Sequence, residues 1–298
     1  MGFKELLTQI TSTEKVTIAV VNPVKEEIFK ALKSATDSGI CSVTLFGKGK
    51  IIEEQSQKAG LDNYRIVECE SDMEAARDAV KAVARGEASC LMKGHIATSS
   101  LMKEVLNSEY GLRGEGLLSH VAVYEKPDGR FLGVTDGGLN ISPDLKEKIE
   151  IIRNAISLFR SIGVDTPKVA ILSAVEVVNP AIPSTLDAAS IDRMASRGQI
   201  KNAIIEGPLA LDLAVSRKAC ELKDISAKVM GDADILVVPE IVSGNILGKS
   251  LTYLAGFSSG GIVVGAKNPV ILLSRSDSDR EKFNSILLGI AASKGGIQ

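Results

Sequence analysis

Aromatic residues and histidine are scarce in this 298-residue sequence, which has no tryptophan, 4% aromatic residues and two histidines. Proteins that bind nucleic acid commonly combine basic patches for the phosphates with aromatic side chains for the bases. Here 35 basic residues face 37 acidic ones, for a net charge of −2, and no long basic run occurs. We therefore expect no nucleic-acid partner.

Cysteine is also rare and is scattered along the chain. Cys41, Cys69, Cys90 and Cys220 show no CxxC spacing, so they suit reduced core residues better than a disulfide framework or a zinc site. With only His95 and His120 available, the composition argues against a metal centre built on imidazole. An all-carboxylate magnesium site remains open at this point.

Long apolar runs are missing as well. No stretch approaches the roughly 20 apolar residues that span a bilayer, and the first seven residues, Met-Gly-Phe-Lys-Glu-Leu-Leu, lack an apolar signal core. We expect a cytoplasmic protein with no membrane partner.

Short β-branched runs recur throughout and are separated mostly by stretches with helical periodicity. The runs lie at 16–21, 43–46, 89–92, 169–172, 203–205, 235–238, 262–264 and 270–273. Their order and near-continuous apolar character predict an α/β fold with mostly parallel strands covered by helices on both faces. Ligands would bind beyond the carboxyl ends of these strands.

One segment departs from this rhythm. Residues 121–124 and 131–135 flank the turn sequence Pro127-Asp128-Gly129, which predicts an antiparallel hairpin. A glycine pair at 137–138 and the helix start Ser142-Pro143-Asp144 follow, and this region is the best candidate for a crossover between two domains.

Several polar loops follow the predicted strands and carry positive charge: Lys93 with Gly94, Lys249 in the segment 243–250, and Ser274 with Arg275. Ser276, Ser278 and Asp279 are candidate caps for a helix after Arg275, where first-turn N–H groups and a guanidinium suit a phosphate. Each feature taken alone is also compatible with an ordinary strand-to-helix turn and a solvated charge.

Two segments resemble nucleotide-binding motifs, but neither matches its motif fully. The segment from Gly47 to Gly49 lacks the third glycine of a dinucleotide-binding turn, because Ile52 stands at that position. The segment 243–250 ends Gly-Lys-Ser like a Walker A loop, but Ser243 replaces its first glycine. Neither a dinucleotide site nor an NTPase is supported, although the second loop is able to cradle a phosphate.

Seven motifs, in this order, resemble the phosphate acetyl/butyryltransferase family, most closely its butyryl branch. They lie at 92–98, 118–121, 134–138, 173–180, 206–212, 243–249 and 274–275. The resemblance implies reversible transfer of a short acyl group between coenzyme A and phosphate, with coenzyme A as a substrate, no cofactor, no metal and a homo-oligomeric assembly.

The same resemblance implies the two-domain fold of isocitrate and isopropylmalate dehydrogenases, with the active site in the interdomain cleft. Residues 1–136 plus 277–298 would form one domain, completed by the C-terminal helix, and residues 137–276 the other.

The family pattern also assigns roles. Ser274 and Arg275 would lie at the phosphate end, with Glu281 as the carboxylate that assists the thiol, although Asp277 and Asp279 remain alternatives. Lys93, Arg113 and Gly207 are further candidates for the phosphate end, and Gly244, Asn245 and Lys249 for coenzyme A. Asp277 stands where the acetyl branch tends to carry a cysteine, which favours the butyryl branch and direct thiolate attack on the acyl phosphate.

Four other functions remain: a phosphate acetyltransferase, a metal- and NAD-dependent dehydrogenase of the same fold, a fatty-acyl phosphate synthase using acyl carrier protein, and a non-catalytic binder of acyl-CoA or phosphate. The dehydrogenase needs clustered metal ligands, and the synthase needs a basic docking surface. Neither is evident in the sequence.

Overall fold

The computed structural model describes residues 1–114, 116–272, 274 and 276–295. In these ranges the strands are β1 Val16–Val21, β2 Cys41–Gly47, β3 Tyr64–Glu68, β4 Cys90–Lys93, β5 Ser119–Glu125, β6 Phe131–Thr135, β7 Lys168–Leu172, β8 Ile204–Leu209, β9 Ile235–Val237, β10 Ser258–Val264 and β11 Val270–Ile271. The helices are α1 Phe3–Thr11, α2 Glu26–Asp37, α3 Gly49–Ala59, α4 Asp72–Ala84, α5 Thr98–Val105, α6 Leu145–Ser161, α7 Pro183–Ser196, α8 Leu211–Val215, α9 Arg217–Leu222, α10 Ile241–Tyr253 and α11 Asp279–Lys294.

The chain divides into two compact units. The outer unit contains Gly2–Gly116 together with Ser259–Ile297, and the middle unit contains Leu117–Ser258. These boundaries precede the predicted ones at 136/137 and 276/277. The difference has a simple cause, because β6 pairs with β9 in the middle unit while β11 pairs with β4 in the outer unit.

The outer unit has the strand order β3-β2-β1-β4-β11-β10. All neighbours are parallel except β10 and β11. Strands β1 and β4 lie at its centre and are almost wholly buried, as expected for a sheet covered on both faces. Helix α11 packs against α1 and α2 and is buried nearly all round, from Lys282 to Ala292.

The middle unit has the strand order β5-β6-β9-β7-β8. The predicted hairpin is present, since β5 and β6 pair antiparallel with Val121 opposite Thr135, and the remaining neighbours are parallel. Its helix α6 begins where the sequence predicts, because Asp144 and Glu147 form a capping box. Apolar side chains of β6, β7, β9 and α8 form a core in this unit.

Every helix in the described ranges is too short or too polar to span a bilayer. In the same ranges, no three His, Cys, Asp or Glu side chains lie together as a set that would hold a metal ion.

Candidate active site

Three strand ends of the outer unit meet at one edge of its sheet. Strands β1, β4 and β11 are parallel neighbours, so the residues that follow them share this edge. They are Asn22 after β1, the segment Lys93 to His95 at the end of β4, and Ser274 after β11. Ligands bind outside such carboxyl ends, so this is the place where a substrate site is expected.

Asn22 joins the loops at this edge. It adopts a left-handed backbone with φ of 44°. Its side-chain amide donates to Asp72 Oδ1 at 2.8 Å and to the His95 carbonyl at 3.0 Å. His95 N–H in turn donates to the Asn22 carbonyl at 2.8 Å. The end of β1, the loop after β4 and the first turn of α4 are therefore held together.

Gly94 allows the two strand ends to approach this closely. Its N–H donates to the Val21 carbonyl at 2.9 Å. A Cβ at this position would lie 2.2 Å from Val21 O and 2.6 Å from Asn22 O. The glycine is thus required by the backbone contact, and the site depends on that contact for its shape.

A cavity of about 130 Å³ opens beside these loops. Its lining is rich in lysine and polar side chains: Lys25, Ile28, Asp72, Lys93, Gly94, His95, Ile96, Ala97, Ser274 and Lys282. All of these residues belong to the outer unit. Three lysines against one aspartate give the cavity a positive charge, and its volume suits a compact anion such as phosphate.

Two of the three lysines are buried. Lys93, at the end of β4, is 7% exposed, and Lys282, in the first turns of α11, is 3% exposed. Lys25 is half-buried at the start of α2. Burial lowers the pKa of Lys282, and the charges of Asp277 and Glu27 partly oppose that shift. Because burying a charge is costly, a cluster of buried ammonium groups favours an anionic ligand.

Ser274 lies in the turn before α11. Its N–H donates to Asp277 Oδ2 at 2.6 Å, and its hydroxyl lies 3.1 Å from that of Ser276. The carbonyl of Asp277 accepts a hydrogen bond from Lys282. The structure therefore brings Ser274, Lys93 and Lys282 together at one cavity. The predicted phosphate ligand Arg275 lies outside the described residues.

The predicted catalytic carboxylate Glu281 occupies a structural position. It forms a capping box with Ser278 at the start of α11. Its Oε2 accepts from Ser278 N–H at 2.8 Å and from Ser278 Oγ at 3.0 Å, and its Oε1 accepts from Ser259 Oγ at 3.0 Å. Glu281 does not line the cavity, whereas Asp277 contacts both Ser274 and Lys282.

Glu281→Gln distinguishes a helix-capping role of this side chain from a catalytic role of its carboxylate. Glutamine also satisfies a capping box, so we expect the thermal midpoint to change little and turnover to stay within about threefold. Glu281→Ala should destabilise the protein by about 1 kcal/mol through loss of the cap. If Glu281→Gln folds normally but loses most of its turnover, the carboxylate acts in the chemistry.

Arg113 and Gly207 are not brought to the cavity. Arg113 is exposed in the segment between α5 and β5. Gly207 lies inside β8 in the middle unit and not in a loop, where a Cβ would come within 2.7 Å of the Ile171 side chain and 3.2 Å of Ala188. Close packing of β8 explains this glycine, and its predicted role in phosphate binding stays a prediction.

The predicted loop at 243–250 is helical. Helix α10 contains all three candidate coenzyme A ligands, Gly244, Asn245 and Lys249. The helix begins before them because the Glu240 side chain caps it by accepting hydrogen bonds from Val242 and Ser243 N–H. Hydrogen bonds from Ser243 and Val242 lower the pKa of the Glu240 carboxyl. These first-turn donors are occupied by a carboxylate, so they are not available as a phosphate cradle.

The three candidate coenzyme A ligands in α10 make different contacts. Gly244 is buried, and a Cβ there would lie 2.7 Å from Gly137 Cα. Asn245 donates weakly to the Gly137 carbonyl at 3.3 Å. The Lys249 ammonium lies over the Tyr253 ring, 5.9 Å from its centroid. Gly244 therefore serves close packing, and contact of Asn245 and Lys249 with coenzyme A stays a prediction.

The cavity contains two lysines that sequence reasoning missed. Lys25 and Lys282 sit among other charged residues, at the start of α2 and in α11, and resemble solvated surface charges. The buried α11 has no clear amphipathic pattern that would mark one of its lysines as inward-facing. Of the three cavity lysines, only Lys93 could be recognised from the sequence, because it follows an apolar strand.

None of the four cysteines is an activated nucleophile. All are buried and unpaired. Burial raises the pKa of Cys41 and of Cys90 to about 12 and that of Cys69 to about 11, and it also raises the pKa of Cys220. Their thiols stay protonated at neutral pH, so an acyl-cysteine intermediate has no support from their environments.

The family model described as phosphate acetyl/butaryl transferase matches residues 67–290, well over half of the sequence. The chain belongs to this family. It is therefore an acyltransferase, and the predicted family is confirmed. The match includes the cavity residues Lys93, Ser274 and Lys282, but not Lys25.

Curated relatives cover nearly the whole chain. A phosphate butyryltransferase of Clostridium acetobutylicum is 42% identical over 290 residues, covering 96% of each chain. A phosphate acetyltransferase of Thermotoga maritima is 41% identical over 291 residues, covering 96% of this chain and 98% of its own. A phosphate butyryltransferase and a phosphate acetyltransferase are thus almost equally identical in sequence to this chain.

Solved structures confirm the predicted fold class. A branched-chain phosphotransacylase from Enterococcus faecalis V583 aligns with a TM-score of 0.83 and 38% identity, covering 93% of this chain and 99% of its own. A 4-hydroxythreonine-4-phosphate dehydrogenase from Salmonella typhimurium aligns with a TM-score of 0.58 over 94% of this chain and 100% of its own. At 13% identity, the second likeness concerns the fold alone.

Proposed function

We propose that this acyltransferase moves a short acyl group reversibly between coenzyme A and inorganic phosphate, with butanoyl-CoA and phosphate as its preferred pair. The observation that carries the proposal is the cavity bordered by Lys25, Lys93 and Lys282, which suits a phosphate ion. The names of the relatives supply the second substrate, acyl-CoA.

In the proposed reaction, a phosphate oxygen attacks the thioester carbonyl. A C–O bond forms, the C–S bond breaks, and the proton lost by phosphate ends on the coenzyme A thiol. The lysines would hold phosphate and offset its charge, while Ser274 and Arg275 complete the phosphate end. Coenzyme A is a substrate in this scheme, so the proposal includes no cofactor and no metal.

The deciding experiment measures release of free coenzyme A thiol from acetyl-, propionyl-, butanoyl- and hexanoyl-CoA, with and without phosphate and with no metal or nicotinamide added. We expect phosphate-dependent release that is fastest with butanoyl-CoA. Fastest release with acetyl-CoA would instead make the protein a phosphate acetyltransferase. Binding of acyl-CoA without release would favour a non-catalytic role.

We also propose that the protein is a homo-oligomer that associates through α10. Val242, Ile246 and Tyr253 lie on one face of this helix and are each more than half exposed, followed by Leu254 at 86% exposure. Apolar side chains concentrated on one surface helix commonly mark a protein interface. Light scattering should give a mass above that of one 31.5 kDa chain, and Ile246→Glu should lower it. A wild-type mass equal to one chain would contradict this assignment.

A cytoplasmic location is part of the same proposal. Four buried, unpaired cysteines suit a reducing compartment, where disulfides are rare.

A further inference from the structure

A carboxylate stands among the lysines of the outer-unit cavity. Of the described residues that line it, Asp72 is the one with an acidic side chain. Like charges repel, so this carboxylate weakens the binding of any anion that offers it nothing in return. An anion that carries a proton does offer something, because its O–H group donates a hydrogen bond to the carboxylate. The presence of Asp72 therefore bears on which anions the cavity accepts.

The Asp72 carboxylate is held in place by one of its two oxygens. Oδ1 accepts from the Asn22 side-chain amide at 2.8 Å, and the same amide donates to the His95 carbonyl at 3.0 Å. Asn22 thus ties Asp72 to the loop after β4. In the part of the chain that the structure describes, no donor binds the other oxygen, Oδ2. One oxygen positions the carboxylate, and the second is available to a ligand.

A purely local role does not explain Asp72. It is the first residue of α4, but the helix is capped by Ser71, whose hydroxyl accepts from Glu74 N–H at 3.2 Å. No lysine or arginine in the described ranges forms an ion pair with Asp72. The carboxylate is therefore needed neither as the cap of α4 nor as half of an ion pair, and its Oδ2 remains available at the cavity.

The other polar groups of the cavity do not distinguish an anion with a proton from one without. The three lysines only donate hydrogen bonds, so they suit either kind. The Ser274 hydroxyl and the imidazole of His95 are each able to donate or to accept. An ionised carboxylate only accepts. Asp72 is therefore the group in this lining that favours a ligand with an O–H group.

We propose that Asp72 Oδ2 accepts a hydrogen bond from the P–O–H group of bound phosphate and thereby selects phosphate and arsenate over sulfate. The inference rests on the proposed function, in which phosphate is a substrate. The three anions are tetrahedral, but at neutral pH phosphate and arsenate each keep at least one proton and sulfate keeps none. The contact acts on binding alone, and Asp72 forms or breaks no covalent bond.

Competition by sulfate tests the selection in the wild-type enzyme. Phosphate-dependent thiol release from butanoyl-CoA is measured with added sodium sulfate at constant ionic strength. We expect the inhibition constant of sulfate to exceed the KM for phosphate at least roughly 10-fold, since one anion gains a charged hydrogen bond and the other meets an unpaired carboxylate. Arsenate should support thiol release in place of phosphate. Sulfate that competes as strongly as phosphate binds would overturn the inference.

Asp72→Asn reverses the hydrogen-bonding character of the free position. Its amide oxygen still accepts from Asn22, while its NH2 group replaces Oδ2 and donates. We expect the KM for phosphate to rise roughly 10-fold and the inhibition constant of sulfate to fall below it, with kcat at saturating phosphate little changed. Wild-type selectivity in this variant would show that Asp72 does not contact the anion.

Two further variants complete this test. Asp72→Glu keeps a carboxylate and should still reject sulfate, even where its longer side chain raises the KM for phosphate. Asp78→Asn is the same substitution further along α4 and outside the cavity, so both constants should equal those of the wild type. A gain of sulfate binding in Asp78→Asn equal to that in Asp72→Asn would mean that the effect comes from net charge and not from a contact.

Calorimetric titration of phosphate and of sulfate, without acyl-CoA, separates this inference from the proposed function. We expect the wild type to bind phosphate more tightly than sulfate, and Asp72→Asn to lose that preference. If the wild type prefers phosphate but releases no thiol, the proposed function is wrong and the role of Asp72 stands. If thiol release depends on phosphate but sulfate binds equally tightly, the function stands and the role of Asp72 is wrong.

Discussion

Lys282→Met is expected to raise the phosphate concentration needed for half-maximal turnover roughly 10- to 100-fold. Methionine fills a similar volume but removes a buried ammonium from the cavity. A hydrogen bond to a charged group contributes about 1.5–3 kcal/mol, which corresponds to that range. The measurement is the KM for phosphate at saturating butanoyl-CoA, where the KM for butanoyl-CoA should change much less.

A matched control is Lys103→Met, which removes an exposed lysine from α5 outside the cavity. Its phosphate KM should equal that of the wild type. Equal KM values in the two variants would mean that the cavity does not hold phosphate during turnover.

The pH dependence of stability gives Lys282 a second signature. Its folded-state pKa lies below the ordinary lysine value of 10.5, so the unfolded chain binds more protons between the two values. Stability contributed by this group therefore rises with pH through that window. Lys282→Met should stabilise the protein most at neutral pH, and the advantage should shrink as the pH approaches 10.5.

Gly94→Ala should have the second large effect, on both stability and phosphate use. Its Cβ would meet two backbone oxygens, Val21 O at 2.2 Å and Asn22 O at 2.6 Å, and backbone cannot rotate away as a side chain can. Forcing in one carbon typically costs about 1–3 kcal/mol, and here it also displaces the loop that carries His95. Thermal or denaturant unfolding measures the first effect, and the phosphate KM measures the second.

Gly86→Ala provides the control for this substitution. Gly86 has a left-handed backbone, with φ of 77°, which Gly94 does not have, and nothing lies within 4 Å of a Cβ there. It should cost only about 1 kcal/mol of backbone strain and leave the phosphate KM unchanged. If both variants lose the same stability and use phosphate equally well, the close approach at Gly94 has no special importance.

The sequence was sufficient to predict the parallel strands and the hairpin because their signals are local. The turn Pro127-Asp128-Gly129 and the apolar runs on either side determine β5 and β6 with no help from the rest of the chain. Strand β3 was missed, since Tyr64–Glu68 is only partly buried and lacks a clear apolar run.

Sequence analysis did not predict the features of the structure that depend on contacts between residues far apart in the chain. Ser243, Gly244 and Asn245 favour a loop by composition, yet the cap from Glu240 and the packing against Gly137 place them in a helix. The inward position of Lys282 follows from the burial of α11, which no pattern along its own sequence reveals. The extent of each compact unit also depends on strand pairing across more than 170 residues, as between Leu91 and Val270, which no local pattern encodes.

The outer unit is built from two separate segments of the chain, so it is completed late during synthesis on the ribosome. The middle unit is contiguous, so all its strands are available soon after Ser258 leaves the ribosome. In the outer unit, one side of β4 has no partner until β11 has been made, and β10 then lies next to β11. During that interval the apolar edge of β4 and the surface later covered by α11 are open to water and to other nascent chains. The half that contains the lysine-lined cavity is thus the one exposed to aggregation and to chaperones while the chain grows.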